Sequence, residues 1–179
     1  GIVTLAFLYP ELFFNLFWFS LGSSCLYHVG KARYKLGNFA ANSLIFTTIL
    51  GSLAILIFWL TFFLFRDHLY PGARGTYLVI TMLLIPCLMT IYYFCAILQG
   101  SYNIRDYNGV WLTWRIGGVI LVTLLVFVLK LGVWGAIIGG SIAIFSAAVV
   151  SIYLVARITK REDWRIEPLL LKETLKDGI

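Results

Sequence analysis

Two ionisable residues, Glu11 and Arg115, lie inside long apolar runs of the sequence. A charge near the centre of a bilayer costs about 2.5–3.5 kcal/mol even on the most lenient insertion scale. Each side chain therefore needs a partner or a water-filled cavity. The arginine fork suits phosphate oxygens, whereas a carboxylate can take up a proton or a cation. We therefore predict that both residues face one cavity, with Arg115 binding substrate and Glu11 binding a coupling ion.

Two amide side chains accompany these charges. Asn15 lies one helical turn after Glu11, and Asn42 lies in the next apolar run among several serines and threonines. We assign Asn15 to the ion-coupling site and Asn42 to the substrate-binding site. Two alternatives stay open: the amides could make only interhelical hydrogen bonds, or Arg115 could extend to the inner interface while Asn15 satisfies Glu11.

The sequence lacks the patterns of several other activities. It contains no G-x-x-x-x-G-K-[ST] phosphate-binding loop, and the glycines of residues 132–140 lie in an apolar run without a lysine. His28 and His68 are predicted on opposite sides of a membrane, so they cannot share a metal. The three cysteines form no C-x-x-C motif. We expect no enzyme activity, no metal or other cofactor, and no nucleic-acid partner.

The composition indicates a membrane protein. Hydrophobic residues make up 61% of the 179 positions and charged residues 12%, against about 45–50% and about 25% in soluble domains. Residues 36–65, 75–104 and 131–156 contain no Asp, Glu, Lys or Arg. About twenty apolar residues cross a bilayer core as a helix, whereas barrel strands alternate over about ten. The runs therefore predict membrane helices.

Five such helices can be drawn, which predicts an all-α, polytopic transmembrane bundle over residues 1–165. The predicted spans are about 2–21, 38–65, 76–98, 109–129 and 133–156. Pro86 should bend the third span, because proline lacks an N–H and its ring clashes with the preceding turn. Gly135 and Gly139 are four residues apart and should let the fifth span pack closely against a neighbour.

Basic residues fix the predicted orientation. Segments 22–37 and 99–108 and the tail after residue 156 together hold ten Lys and Arg, whereas the opposite side holds three. Lys and Arg accumulate on the cytoplasmic side of membrane proteins. These three segments should therefore face the cytoplasm, in a multi-pass protein of the cytoplasmic membrane with lipids as its surroundings. The chain begins at Gly1 rather than Met, so we expect a piece of a longer protein.

Several short motifs occur in a consistent order along the chain. Gly1-Ile-Val-Thr-Leu-Ala opens the first span, and Leu21-Gly-Ser-Ser-Cys-Leu-Tyr-His-Val-Gly-Lys closes it. The turn Ile97-Leu-Gln-Gly-Ser-Tyr-Asn-Ile-Arg-Asp-Tyr-Asn has an LQG…R.YN pattern. Leu131-Gly-Val-Trp-Gly-Ala and Leu171-Lys-Glu-Thr-Leu-Lys-Asp-Gly follow it. Over essentially the whole chain, these motifs resemble the oligosaccharide flippases of polysaccharide biosynthesis, in the multidrug/oligosaccharidyl-lipid/polysaccharide exporter superfamily.

The resemblance implies the second to sixth helices of a transporter of twelve or more, part of its N-terminal half. Residues 166–179 would be a cytoplasmic linker to the other half, an expected partner. The implied fold is two six-helix bundles around a cavity that opens alternately to either side. The implied substrate is a polyprenyl-diphosphate-linked oligosaccharide, flipped outward by an ion gradient. A drug or peptidoglycan-precursor exporter of the same superfamily, a membrane glycan polymerase or glycosyltransferase, and a structural subunit remain alternatives.

The predicted orientation can be tested by cysteine labelling. Gly72→Cys should react with a membrane-impermeant thiol reagent added from outside, whereas Ser101→Cys should react only after permeabilisation, because the basic segments face inward. Labelling of Ser101→Cys but not Gly72→Cys in intact cells would reverse the topology.

Overall fold

Helices form nearly all of the part of the chain that the structure, a computed structural model, describes: residues 2–17, 21–31, 34–69 and 75–178. The α-helices in this part are α1 (Ile2–Phe17), α2 (Leu21–Gly30), α3 (Leu36–Leu69), α4 (Gly75–Met82), α5 (Ile85–Gly100), α6 (Ile104–Thr123), α7 (Gly132–Ile158) and α8 (Pro168–Gly178). A 3₁₀ turn (Arg161–Asp163) precedes α8. These ranges contain no strand, so the predicted all-α class is confirmed for them.

In the described ranges, four segments have the length and apolar composition of membrane spans. They are Leu36–Leu64, Thr76–Gly100, Ile104–Val128 and Gly132–Ile158, and they coincide with the predicted second to fifth spans. In the predicted first span, 2–21, helix α1 has 16 residues. That is fewer than the roughly 20 residues that cross a bilayer core, and positions 18–20 lie outside the described residues. The chain thus has the helices of a multi-pass membrane protein.

The third apolar run is interrupted at the proline. Helix α4 ends at Met82 and α5 begins at Ile85. Between them the Leu84 N–H donates to the carbonyl of Thr81 at 3.1 Å, which makes a tight turn. Pro86 occupies the first turn of α5, where a helix has no use for the missing N–H. The helix is therefore interrupted next to Pro86, at the place where the sequence predicts a bend.

Helix α5 is the centre of the fold. Most of its side chains are buried, including Tyr93, and it packs against α2, α3 and α7. Helix α3 approaches it closely at Gly51, where a Cβ atom would lie 3.0 Å from Cγ of Pro86. Helix α6 instead lies at the edge of the bundle, with Asp106 and Val110 as its buried residues. One side of α6 lines a cavity between α1, α5 and α7.

Helices α6 and α7 pack along each other through glycine. A Cβ atom at Gly139 would lie 3.0 Å from the backbone nitrogen of Val122. One at Gly135 would lie 2.9 Å from the carbonyl carbon of Leu125. Real Cβ atoms essentially never come as close to backbone as the distance at Gly135, and the distance at Gly139 is tighter than nearly all real Cβ contacts, so a side chain at either position requires the neighbouring backbone to shift. The predicted close contact at Gly135 and Gly139 is confirmed, and its partners are the end of α6 and the π-helical turn that follows it (Leu124–Val128).

The two ends of the α6–α7 pair are closed differently. At one end, the Leu129 N–H donates to the carbonyl of Leu124 at 3.0 Å, so the chain leaves α6 through a wide π turn. At the other end, the Arg157 guanidinium and the Asp106 carboxylate form an ion pair of 2.6 Å. The Asn103 amide donates to the same carboxylate oxygen at 2.8 Å. The buried carboxylate is thus paired and hydrogen-bonded, as burial requires.

Gly139→Leu should lower both folded yield and thermal stability. The atoms that a side chain would meet are backbone atoms of α6, which cannot rotate away, so we expect a cost of at least about 1–3 kcal/mol. Gly117→Leu on α6 is the matched control, because a Cβ atom at Gly117 meets nothing within 4 Å. Size-exclusion yield in detergent and the unfolding temperature measure the difference. Equal behaviour of the two variants would argue against the contact.

Candidate functional site

A cavity of about 510 Å³ lies between α1, α5, α6 and α7. Most of its wall is apolar and includes Phe14, Leu88 and Val119. Glu11 of α1 and Arg115 of α6 lie in the same wall. The fold therefore brings Glu11 and Arg115 into one cavity, as the sequence predicts.

Glu11 directly follows a proline in α1. Pro10 is buried within the helix and has no N–H to donate to the carbonyl of Ala6. The next side chain, Glu11, is exposed at the cavity. Among the described residues it makes no ion pair and accepts no hydrogen bond. Asn15 is exposed one turn further along and does not line the cavity.

Arg115 contacts two indole rings of its own helix. Trp111, Trp114 and Arg115 are spaced i, i+3 and i+4, which places them on one side of α6. The guanidinium carbon lies 4.7 Å from the centre of the Trp114 ring and 5.7 Å from that of Trp111. Cation–π contacts at such distances stabilise the charge through the ring faces. No acceptor in the described part of the chain takes its N–H groups, so they are available to a ligand.

Tyr92 of α5 connects this indole pair to the rest of the bundle. Its ring is edge-on to Trp111 at 5.5 Å and to Trp114 at 6.3 Å. It also lies 4.7 Å from the ring of Phe14 on α1. Aromatic contacts therefore fix the cation relative to three helices.

This arrangement can bind an anion beside a carboxylate. The planar arginine fork offers parallel N–H donors that match two oxygens of a phosphate. Apolar surroundings strengthen such a charge-assisted interaction relative to water. Glu11 and Arg115 do not pair within 4.0 Å, so the carboxylate does not neutralise the cation by direct contact. A cluster of three or more His, Cys, Asp or Glu that could hold a metal is not found among the residues described.

Asn42 lies away from this cavity. Its amide nitrogen donates to the carbonyl of Glu167 at 3.0 Å, and its amide oxygen accepts from the Glu167 N–H at 3.2 Å. The side chain is buried beside Cys25 and Leu170, between α2, α3 and α8. Burial raises the pKa of the Cys25 thiol to about 12, so this neighbour stays neutral. The structure brings Asn42 together with the tail and not with Arg115.

The tail folds back onto the bundle through further contacts. The Lys35 ammonium and the Asp163 carboxylate pair at 2.6 Å, and the Tyr34 hydroxyl donates to Glu173 at 3.1 Å. Gly37 lies directly under the 3₁₀ turn, since a Cβ atom there would be 2.5 Å from the Asp163 backbone. Leu170 of α8 is fully buried. The tail therefore packs against the rest of the bundle, with α8 against α2 and α3.

Sequence reasoning missed the aromatic side of the site. Arg115 was considered only for its depth in the bilayer. The W-x-x-W-R spacing of residues 111–115, which places both indoles and the arginine on one side of a helix, was not used. Tyr92 could not have been found in this way, because it comes from another helix. The pairing of Asn42 with Glu167 joins positions that are 125 residues apart, and no local signal indicates it.

Comparisons with known proteins give no significant match. No family model, no curated protein and no solved structure matches this chain. The cavity itself offers an arginine with available donors, a carboxylate in the same wall, and apolar surroundings between the helices.

Asn42→Ala should loosen the tail without affecting the cavity. The substitution leaves the N–H and carbonyl of Glu167 without their partner, at about 1–3 kcal/mol. Trypsin should then cut at Lys172 and Lys176 roughly tenfold faster. Asn38→Ala on the same helix is the matched control, because no described group hydrogen-bonds to the Asn38 side chain. Equal cleavage rates for Asn42→Ala and the parent chain would contradict the assigned role.

Proposed function

We propose that this chain is part of a transporter that flips a polyprenyl-diphosphate-linked oligosaccharide from the cytoplasmic to the outer leaflet. The observation that carries the proposal is Arg115, a cation with available donors in a cavity between apolar helices. A lipid diphosphate is an anion that must pass through apolar surroundings, so its carrier needs such a group. The short motifs of this chain resemble those of oligosaccharide flippases in their order, which supports the same assignment.

The dimensions of the cavity suit the head of such a substrate. Ligand sites of this kind have volumes of about 300–1,000 Å³, and about 510 Å³ falls within that range. A diphosphate with its first sugar fits such a volume, whereas a polyprenyl chain of many isoprene units does not. We therefore propose that the head group enters the cavity while the prenyl chain remains in the bilayer.

Arg115 is the proposed diphosphate-binding residue. Two unit charges about 4 Å apart attract each other by about 4 kcal/mol at an effective dielectric constant of 20. The planar fork adds a directional preference for two oxygens that lysine cannot reproduce. Because the N–H groups have no acceptor among the described residues, binding would not have to break an internal ion pair first.

Glu11 is the proposed coupling residue. A diphosphate that enters the cavity brings negative charge close to the Glu11 carboxylate, and like charges repel. When Glu11 takes up a proton or a cation, the repulsion between Glu11 and the diphosphate is removed. When Glu11 releases the proton or cation, the repulsion returns. An ion gradient would in this way favour substrate binding on one side and release on the other.

The remaining surfaces agree with a partner and a lipid environment. Large apolar side chains are exposed along α3, α6 and α7, among them Leu56, Phe63, Ile120 and Phe145. Membrane lipids or a second bundle of the same transporter would cover these faces. We propose the cytoplasmic membrane as the location, because the lipid-linked glycan is assembled on its inner side.

Export by cells that carry the intact transporter tests the proposal. Arg115→Lys keeps the charge but loses the fork, so we expect about tenfold slower glycan export, which corresponds to about 1.4 kcal/mol. Glu11→Gln cannot change its charge and should make the remaining export insensitive to the ion gradient. Surface glycan, measured over time with and without an ionophore, gives both rates.

Matched controls separate these effects from loss of protein. Arg105→Lys makes the same exchange at the exposed start of α6, and Glu162→Gln makes the same exchange in the exposed tail. Neither residue lines the cavity. Normal export by well-expressed Arg115→Lys and Glu11→Gln variants would contradict the proposal.

A further inference from the structure

Two tryptophans hold the proposed diphosphate-binding arginine in the cavity. From this geometry we infer that Trp111 and Trp114 are positioning residues for Arg115 and not a stacking platform for sugars. The inference rests on the proposed function and adds the residues that decide whether an arginine at this position can bind an anion.

The three groups form a compact triangle. The ring centres of Trp111 and Trp114 are 5.3 Å apart, with their planes inclined by 17°. The guanidinium carbon is 4.7 Å from one ring centre and 5.7 Å from the other. If the cation lay on the side of Trp114 that faces away from Trp111, its distance to the Trp111 ring centre would be close to the sum of 5.3 Å and 4.7 Å. The observed distance of 5.7 Å is much shorter than that sum. The cation therefore contacts both indoles at once.

These indoles are themselves immobilised by their neighbours. Tyr92 lies edge-on to both rings, and Tyr107 lies edge-on to Trp111 at 6.3 Å. The Trp111 Nε1–H is buried and has no acceptor among the described groups, so this ring is fixed by packing. Rings held by several neighbours present a fixed surface to the cation, which reduces the entropy that the long arginine side chain loses on binding.

The position of the cation follows from this surface. An arginine at the side of a membrane helix normally extends toward the interface, where water solvates its charge. Cation–π contacts with tryptophan attract the exposed guanidinium toward the ring faces and oppose that tendency, and two contacts share one cation here. Such contacts use the ring faces and leave N–H groups free for an anion. The tryptophans thus hold the arginine without occupying its donors.

Binding of inorganic pyrophosphate tests the inference, because this probe has neither sugar nor lipid. The full chain is reconstituted in phosphatidylcholine nanodiscs, and binding is measured by calorimetry. Trp114→Leu should weaken pyrophosphate binding about tenfold, and Trp111→Leu, which removes the more distant ring, about threefold. Trp114→Phe keeps an aromatic face and should retain binding within about threefold of the parent. That rescue would not be expected if the indole merely filled space.

Two controls make the outcomes distinguishable. Trp59→Leu removes a tryptophan of α3 that does not line the cavity and should leave binding unchanged. Arg115→Gln should abolish binding. Parent-like affinity of Trp114→Leu, or equal weakening by Trp114→Phe, overturns the positioning role while Arg115 keeps its proposed function. Parent-like affinity of Arg115→Gln overturns both.

Discussion

The cation–π contact between Arg115 and the indoles of Trp111 and Trp114 is the interaction on which the candidate site depends. A positive charge in an apolar wall must be compensated, and in the described part of the chain no carboxylate does so by direct pairing. Had Arg115 formed an internal ion pair, its N–H groups would be occupied and the cavity would have little affinity for an anion. Compensation by aromatic faces keeps both the charge and the donors available.

The positions of the surrounding helices depend on close packing around this contact. Tyr92 connects the indole pair to the central helix α5, and its contact with Phe14 extends the aromatic series to α1. On the other side, Gly135 and Gly139 hold α7 against the end of α6. Helix α6 is therefore fixed along its length, although few of its own residues are buried. The cavity is the space that remains between these contacts.

A second set of polar contacts lies away from the cavity. Asn42 uses both atoms of its amide on the backbone of Glu167, and Lys35 pairs with Asp163. A buried amide is costly unless it is hydrogen-bonded, so this contact accounts for the polar side chain in an apolar helix. Polar residues within the spans thus have two different uses in this chain. Some fix the fold, and others face the cavity.

The sequence by itself determined the features that depend on neighbours along the chain. Apolar runs indicated the four long spans, and Pro86 indicated the break between α4 and α5. The spacing of Gly135 and Gly139 indicated the close contact of α7. Each of these features rests on local helix geometry. It also singled out Glu11 and Arg115, since a charge at depth is costly wherever its partner lies. Only the tertiary structure decided which groups meet. Side chains such as Asn42 and Tyr92 can satisfy their hydrogen-bonding or packing needs in several ways, and the choice among them depends on helices that are distant in sequence.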